Sequence, residues 1–282
     1  MNKVSVIMGV YNPPGKAALA RAVHSVLEQT YPARELIICD DRSTDDTWSF
    51  LQQSFGQHPE IILVRNRENL GLSAALNHCL RYASGSYIAR QDADDYSLPE
   101  RIARQVCFLE AQPGYAFAGT GMLLFDAGGI YGARYGKEKP GKKDFIWGSP
   151  FAHATLVIRR EALLAVNGYR VARETRRGQD YDLFMRLYAA GFTGCNIQEA
   201  LYHVCEDAAA FSRRTFRRQL YIARIQAQGF RMMGLPAWSH LAILKTAAVA
   251  MIPNPAIRLW KQAACRLQQG YTPHVHRESP GI

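Results

Sequence analysis

Apolar residues in the first hundred positions come in short, nearly continuous runs separated by amphipathic stretches. The runs at about Val4–Tyr11, Glu35–Cys39, Ile61–Val64 and Tyr87–Ala89 are mostly apolar and read as buried strands. Between them the pattern predicts helices at about Lys16–Gln29, Asp45–Phe55 and Ser73–Ala83. Ser43 or Thr44 is expected to cap the second helix, with Asp45 and Asp46 in its first turn. Strands apolar on both faces and alternating with helices imply a doubly wound, mostly parallel α/β sheet. Ligands of such sheets sit beyond the carboxyl ends of the strands. Those ends carry Tyr11-Asn12, Asp40-Asp41 and Asp92-Ala93-Asp94, so three strands aim polar groups at one crevice.

Beyond Pro99 the alternation loosens. A helix to about Glu110 precedes a Gly-rich passage of strands and turns, and "HATLVIRREALLAVNGY" reads as a strand leading into a short helix. "GQDYDLFMRLYAAGF" reads as a helix stopped by Gly191. From Ser212 to Met233 the residues Phe216, Leu220, Ala223, Ala227 and Phe230 form a helical seam. The apolar stretch Trp238–Ile252 is about fifteen residues, short of the roughly twenty that a membrane span needs. The opening "VSVIMGVY" is too short for a signal-peptide core and is expected to be a strand.

Charge changes this picture at one end. Residues 1–207 hold 23 basic and 23 acidic side chains, whereas 208–282 hold 11 basic ones against the single Glu278. The whole net charge of +10 therefore belongs to the tail. The expected organisation is a catalytic domain over 1–207 and a basic helical extension over 208–282. Such an extension seeks an anionic surface. The basic residues beside Trp238 and Trp260 suit an interfacial anchor on anionic lipid, with packing on the domain as the alternative. Nucleic acid is not expected, because the tail lacks the interleaved aromatics of single-strand binders. An apolar fraction of 48% fits an ordinary globular chain, and six scattered cysteines without a C-x-x-C suggest reduced thiols in the cytoplasm.

The stretch "SYIARQDADDYSLPERI" packs Asp92, Asp94 and Asp95 into four residues, where they repel one another unless something positive intervenes. A solvated acidic turn is the bland reading, and D-x-D alone is a weak signal. At a strand end beside other polar strand ends it points instead to a divalent cation, Mg²⁺ or Mn²⁺. Mg²⁺ takes one or two carboxylates and completes its shell with water and phosphate.

The segments "VSVIMGVYN", "SVLEQTYPARELIICDDRSTDDTW", "NLGLSAALN", "DADDYSLPERI" and "QDYDLFMRL" occur in order. Together, over about residues 3–205, they resemble the family 2 inverting glycosyltransferases of GT-A fold. That resemblance implies transfer of a sugar from a nucleotide-diphosphate donor to a hydroxyl acceptor, in surface-polysaccharide or lipid-linked glycan assembly. It implies that Asp41 bonds the imide of the base, favouring UDP- or dTDP-sugars, with Tyr11 and Asn12 beside the base and ribose. Asp94 would hold the metal, and Asp92 would lie near the ribose or the metal's water. Asp180 would be the catalytic base, with Gln179 where Glu is more frequent and His153 near the acceptor. For Asp180 an N-cap role on its helix is compatible with this, and for Asp182 a first-turn interaction with the helix dipole is expected. His203 is not expected to be catalytic, and His274 with His276 reads as part of the tail rather than a metal pair. No Q-x-x-R-W motif is present, so one sugar or a few is expected per acceptor. The rival readings are a nucleotidyltransferase-like enzyme, which lacks its Gly-rich basic loop here, and a non-enzymatic binding protein on a decayed fold.

Overall fold

The computed structural model describes residues 2–32, 34–126, 128–205 and 216–244. Four parallel strands open the chain: β1 (Val4–Val10), β2 (Arg34–Asp40), β3 (Ile61–Arg65) and β4 (Tyr87–Arg90), side by side in the order β3-β2-β1-β4. The connecting helices are α1 (Lys16–Leu27), α2 (Thr47–Phe55) and α3 (Leu72–Leu80). The sheet then continues with mixed polarity. β8 (Val157–Arg159) runs antiparallel to β4, and β6 (Phe117–Asp126) runs antiparallel to β8 but parallel to β9 (Gly194–Cys205). β7 (Gly129–Arg134) forms a hairpin with β6, and β5 (Tyr96–Ser97) edges β9.

Alternation along β1 and β2 separates two cores. Val4, Val6, Met8, Leu36 and Ile38 face α1, α2 and α4 (Arg101–Ala111), where Leu19, Val23, Leu51, Ile102 and Val106 are buried. Ile7, Ile37 and Cys39 face α3 and the two later helices α6 (Gln179–Ala189) and α7 (Phe216–Met232). Each such fully buried aliphatic side chain contributes about 1.5–3 kcal/mol. Gly9 lets α3 sit low on the sheet, since a Cβ there would stand 2.8 Å from Leu72 Cδ1. Between β8 and α6 lie α5 (Arg160–Ala165) and a 3-10 turn at Glu174–Arg177.

Two sequence expectations are corrected. α2 begins at Thr47 with no side-chain cap at Asp46, and Asp45 instead accepts the Thr47 N–H at 3.0 Å. Ser43 and Thr44 do not cap it because both bond to Asn12 across the neighbouring loop. The buried face of α7 is also rotated from the expected seam. Leu220 is 45% exposed and Ala223 and Ala227 are half-buried, while Ile225 and Gln226 are buried beside Phe230, which the seam did include. Gly229 and Gly178 explain the rotation: a Cβ at Gly229 would meet Met185 of α6, and one at Gly178 would meet Ile225 at 2.8 Å. Bare backbone at these points draws the two helices together on that face. Within residues 237–244, Ser239 and Ala242 are buried while Trp238, Leu241 and Leu244 stay exposed. The expected apolar stretch beyond residue 244, Trp260 and the His274–His276 pair lie outside the described residues.

Candidate active site

The loops after β1 and β2 are tied together by Asn12, which sits at a φ of 42°. Its N–H donates to Ser43 Oγ at 3.1 Å, and its Oδ1 accepts from the Thr44 N–H at 3.0 Å. Tyr11 beside it is exposed. Asp40 is internal: Oδ1 accepts from the Ser43 N–H at 3.0 Å, and Oδ2 pairs with Arg65 Nε at 2.8 Å. Asp41 is buried too, but its partners come from the loop ahead of α3. Asn66 Nδ2 (2.6 Å) and the Leu70 N–H (3.0 Å) donate to Oδ1, and the Gly71 N–H (2.7 Å) donates to Oδ2. His78 Nδ1 orients Asn66 through its Oδ1 at 2.7 Å. Burial and Arg81 hold the His78 pKa down, which favours the neutral ring. A carboxylate offers about four lone-pair positions, so Asp41 keeps one for a ligand donor.

The end of β4 answers what balances its three acids. Arg90, 1% exposed, donates to the Asp92 carboxylate and to the Gln91 carbonyl. Beneath it Arg101, equally buried, donates to Arg90 O at 3.1 Å and lies over the Tyr202 ring at 5.3 Å. Burial pushes the Arg101 pKa down to about 10. Tyr202 Oη accepts the Asp92 N–H at 3.0 Å, and Gln91 Nε2 holds the Asp92 and Asp95 carbonyls, each at 3.1 Å. Asp95 turns inward and accepts the Cys205 N–H at 2.8 Å. Burial first, then the Asp92 and Asp94 charges, push its pKa up to about 8. One acid is thus countered by a guanidinium and another is disposed to stay protonated.

Asp92 and Asp94 remain partly exposed at the loop. No group of three or more His, Cys, Asp and Glu side chains is arranged to hold a metal ion among the described residues. One or two carboxylates open to solvent fit a hard divalent cation that draws its other ligands from water and phosphate. Sequence reasoning did not single out Arg90 or Arg101. The available signal was a charged residue closing an otherwise apolar buried strand, "YIAR".

α6 brings the remaining candidates. Asp180 is the second residue of the helix and Gly178 holds the N-cap position, which corrects the expected N-cap role. Asp182 does more than face the helix dipole: buried, it pairs with Arg170 Nη2 at 2.9 Å and Arg186 Nε at 2.7 Å. Arg186 also donates to the Val166 and Gly168 carbonyls at 2.6 and 2.9 Å, fixing the helix to the preceding loop. Gln179 Oε1 is buried and has no hydrogen-bond partner among the described residues.

His153, in a 3-10 turn, shares a 2.8 Å hydrogen bond between Nε2 and Tyr169 Oη. Asn77 clamps Tyr169, donating to its carbonyl at 2.7 Å and accepting its N–H at 2.9 Å. Burial raises the Tyr169 pKa, Asp92 and Asp180 raise it further, and Arg90 opposes them. Burial, aided by Arg90, holds the His153 pKa well below its usual value. On the Asp41 side, Gly71 faces Arg176, which belongs to the segment leading to Asp180. His203 lies apart, its ring 4.3 Å from that of Tyr96 and packed toward Phe125.

A model of the family described as Glycosyl transferase family 2 matches residues 5–166, more than half of the chain. The chain belongs to that family. This family 2 glycosyltransferase is 42% identical over 274 residues to the putative glycosyltransferase EpsE of Bacillus subtilis, covering 96% of this chain and 98% of that one. It is 26% identical over 215 residues to the amylovoran biosynthesis glycosyltransferase AmsE of Erwinia amylovora, covering 74% and 79%. In fold it matches the mannosyltransferase PcManGT of Pyrobaculum calidifontis, solved with GDP-Man and Mn²⁺, with a TM-score of 0.63 and 20% identity. That match covers 95% of this chain and 81% of that one. The sheet with its flanking helices is thus a GT-A fold, and the glycosyltransferase is an enzyme with a relative in polysaccharide biosynthesis. No helix among the described residues is long and apolar enough to cross a membrane.

Proposed function

We propose that this glycosyltransferase moves one sugar from a nucleoside diphosphate to a hydroxyl with inversion, using Asp180 as the base. The observation that carries this is the placement of Asp41 and the Asp92–Asp94 loop at the carboxyl ends of β2 and β4, on either side of β1, in a chain of this family. Inverting displacement needs a carboxylate to take the acceptor proton and a separate group to steady the leaving diphosphate. A carboxylate in the first turn of a helix pinned by Asp182 and Arg186 has the rigidity the first task requires.

Asp41 presents its spare lone pair to the N–H of a base, which favours UDP- or dTDP-sugars, with Tyr11 and Asn12 alongside. The loop carboxylates Asp92 and Asp94 suit Mn²⁺ or Mg²⁺, with Asp94 as its ligand. When bound, such an ion neutralises charge on the departing diphosphate. Gln179 precedes the base, and it and His153 are assigned to the acceptor, a hydroxyl of a glycan or lipid-linked glycan. The name of AmsE supports surface-polysaccharide assembly as the setting. Family membership and the retained Asp41, Asp92, Asp94 and Asp180 weigh against a nucleotidyltransferase or a decayed binding protein.

The test separates binding from chemistry. Titration of UDP-, dTDP- and GDP-sugars with and without Mn²⁺ should show that Asp94→Ala loses metal-dependent donor binding. Asp180→Asn should keep that binding and lose turnover by about a thousandfold or more. Wild-type turnover in Asp180→Asn removes the base assignment.

We further place the basic extension on the anionic inner face of a membrane, in a cytoplasmic enzyme. The support is its excess of basic residues next to the exposed Trp238, Leu241 and Leu244. Co-sedimentation should be stronger with anionic than with neutral vesicles, and equal binding to both rejects this placement.

A further inference from the structure

Exposed apolar side chains gather on two stretches that are far apart in sequence. Trp147 is 68% exposed at the end of the 3-10 helix Lys142–Trp147, and Met232, Trp238, Leu241 and Leu244 are exposed from the end of α7 onward. We propose that these two stretches form one docking surface for anionic lipid headgroups, with Trp147 and Trp238 entering the interface. This rests on the membrane placement given above and goes beyond it, because it assigns a lipid contact to a segment outside the basic extension.

Three observations carry it. First, the stretches are fastened together. α7 is closed by Gly234, whose φ of 67° lets the Leu235 N–H return to the Phe230 carbonyl at 2.9 Å. Lys142 Nζ donates to the Met233 carbonyl at 3.1 Å in that same turn, a cation at a helix C-terminus. Both stretches also stand on α6. Tyr188 Oη donates to the Pro140 carbonyl at 2.7 Å, Tyr181 Oη donates to the Phe145 carbonyl, and Gly229 of α7 lies against Met185. At about 2 Å per residue the six-residue 3-10 helix spans roughly 10 Å, which keeps Trp147 close to the Lys142 contact.

Second, the apolar positions are one-sided. Trp238, Leu241 and Leu244 recur at every third residue, which sets them along one face, while Ser239 and Ala242 are buried on another. No helix among the described residues has a spanning length, so a face of this kind lies in an interface.

Third, the charge matches. Lys143 and Arg231 are exposed within the same two stretches. Asp144, the one acid of Lys142–Trp147, is engaged by Lys137 at 2.9 Å and by the Gly141 N–H at 2.7 Å. Residues 208–277 contain no Asp or Glu. Tryptophan rings favour the headgroup level, and basic side chains add attraction to anionic lipid. A second copy of this chain would bring like charge to the same surface, so the charge selects lipid. Phe145 accepts from Tyr181, the residue after Asp180, so docking on both stretches holds the start of α6 beside the lipid.

The experiment measures partition of the full-length protein onto phosphatidylglycerol-containing and pure phosphatidylcholine vesicles. Wild type should favour the anionic vesicles. Trp147→Ala and Lys143→Gln should each weaken that binding about fivefold, and the double variant about tenfold or more. Both side chains are exposed, so thermal midpoints should stay near wild type. With brominated phosphatidylglycerol, Trp147→Phe should remove part of the tryptophan emission that the bromine quenches. Anionic preference in wild type with undiminished binding by the double variant overturns the inference. The extension alone then carries docking, or a second copy or residues 245–282 cover the surface. Unchanged quenching in Trp147→Phe overturns it likewise. Absent wild-type binding, or equal binding to both vesicles, rejects the membrane placement itself and this surface with it.

Discussion

Arg90 shows how one side chain conditions its surroundings. Its guanidinium is buried among Asp92, Tyr169 and Tyr202, and Asp92 is the partner that makes this burial tolerable. Removing one member of a buried pair commonly costs about 3–5 kcal/mol, and the partial exposure of Asp92 trims that here. Arg90→Met is therefore expected to lower unfolding free energy by about 2–3 kcal/mol in urea titrations and to weaken donor binding as Asp92 loses its anchor. Arg90→Lys should recover part of the stability but less of the binding, because an ammonium has no fork to span two acceptors. The acids at this loop were legible in the sequence as a problem of repulsion. Their resolution was not, since Arg90 closes a strand whose other residues are apolar, and nothing in residue spacing says that a terminal arginine folds inward.

At the scale of elements, the α6–α7 contact carries the most information. Glycine to alanine inside a helix ordinarily stabilises by about 0.5–1 kcal/mol. At Gly229 the sign should reverse, because the new methyl collides with Met185. Gly229→Ala is expected to lose about 1–3 kcal/mol in thermal or urea unfolding. Met185→Ala in the same background should recover part of that loss, a coupling that a double-mutant cycle measures. The first four strands and their helices could be read directly, since apolar runs of that length have few alternatives. The caps could not. Ser43 and Thr44 are good cap residues by type, but Asn12 from a distant loop competes for them and prevails. The face of α7 was misjudged for a related reason: the seam was drawn through side chains, whereas the close approach is made at two glycines.

Across the whole molecule, the sheet separates two cores and gathers its polar strand ends at one edge. The half built from β1 to β4 follows from sequence alternation, and it delivers Asp41 and the Asp92–Asp94 loop to that edge. β6 and β7 were legible only as unplaced strands and turns in a Gly-rich passage, and β8 as a strand before a short helix, because their order in the sheet depends on pairings between residues far apart in the chain. Asp180 was proposed from a motif, whereas the pairing of His153 with Tyr169, sixteen residues on, is one that no local pattern encodes. The bonding of Asp41 carries a dynamic corollary. Its carboxylate is gripped by two amides at the entrance to α3, so a nucleobase docking on its remaining lone pair stiffens that entrance from below. Solvent deuterium should accordingly reach the Leu70 and Gly71 amides more slowly once a nucleotide sugar is present, and unaltered exchange there would mean that the base lies elsewhere.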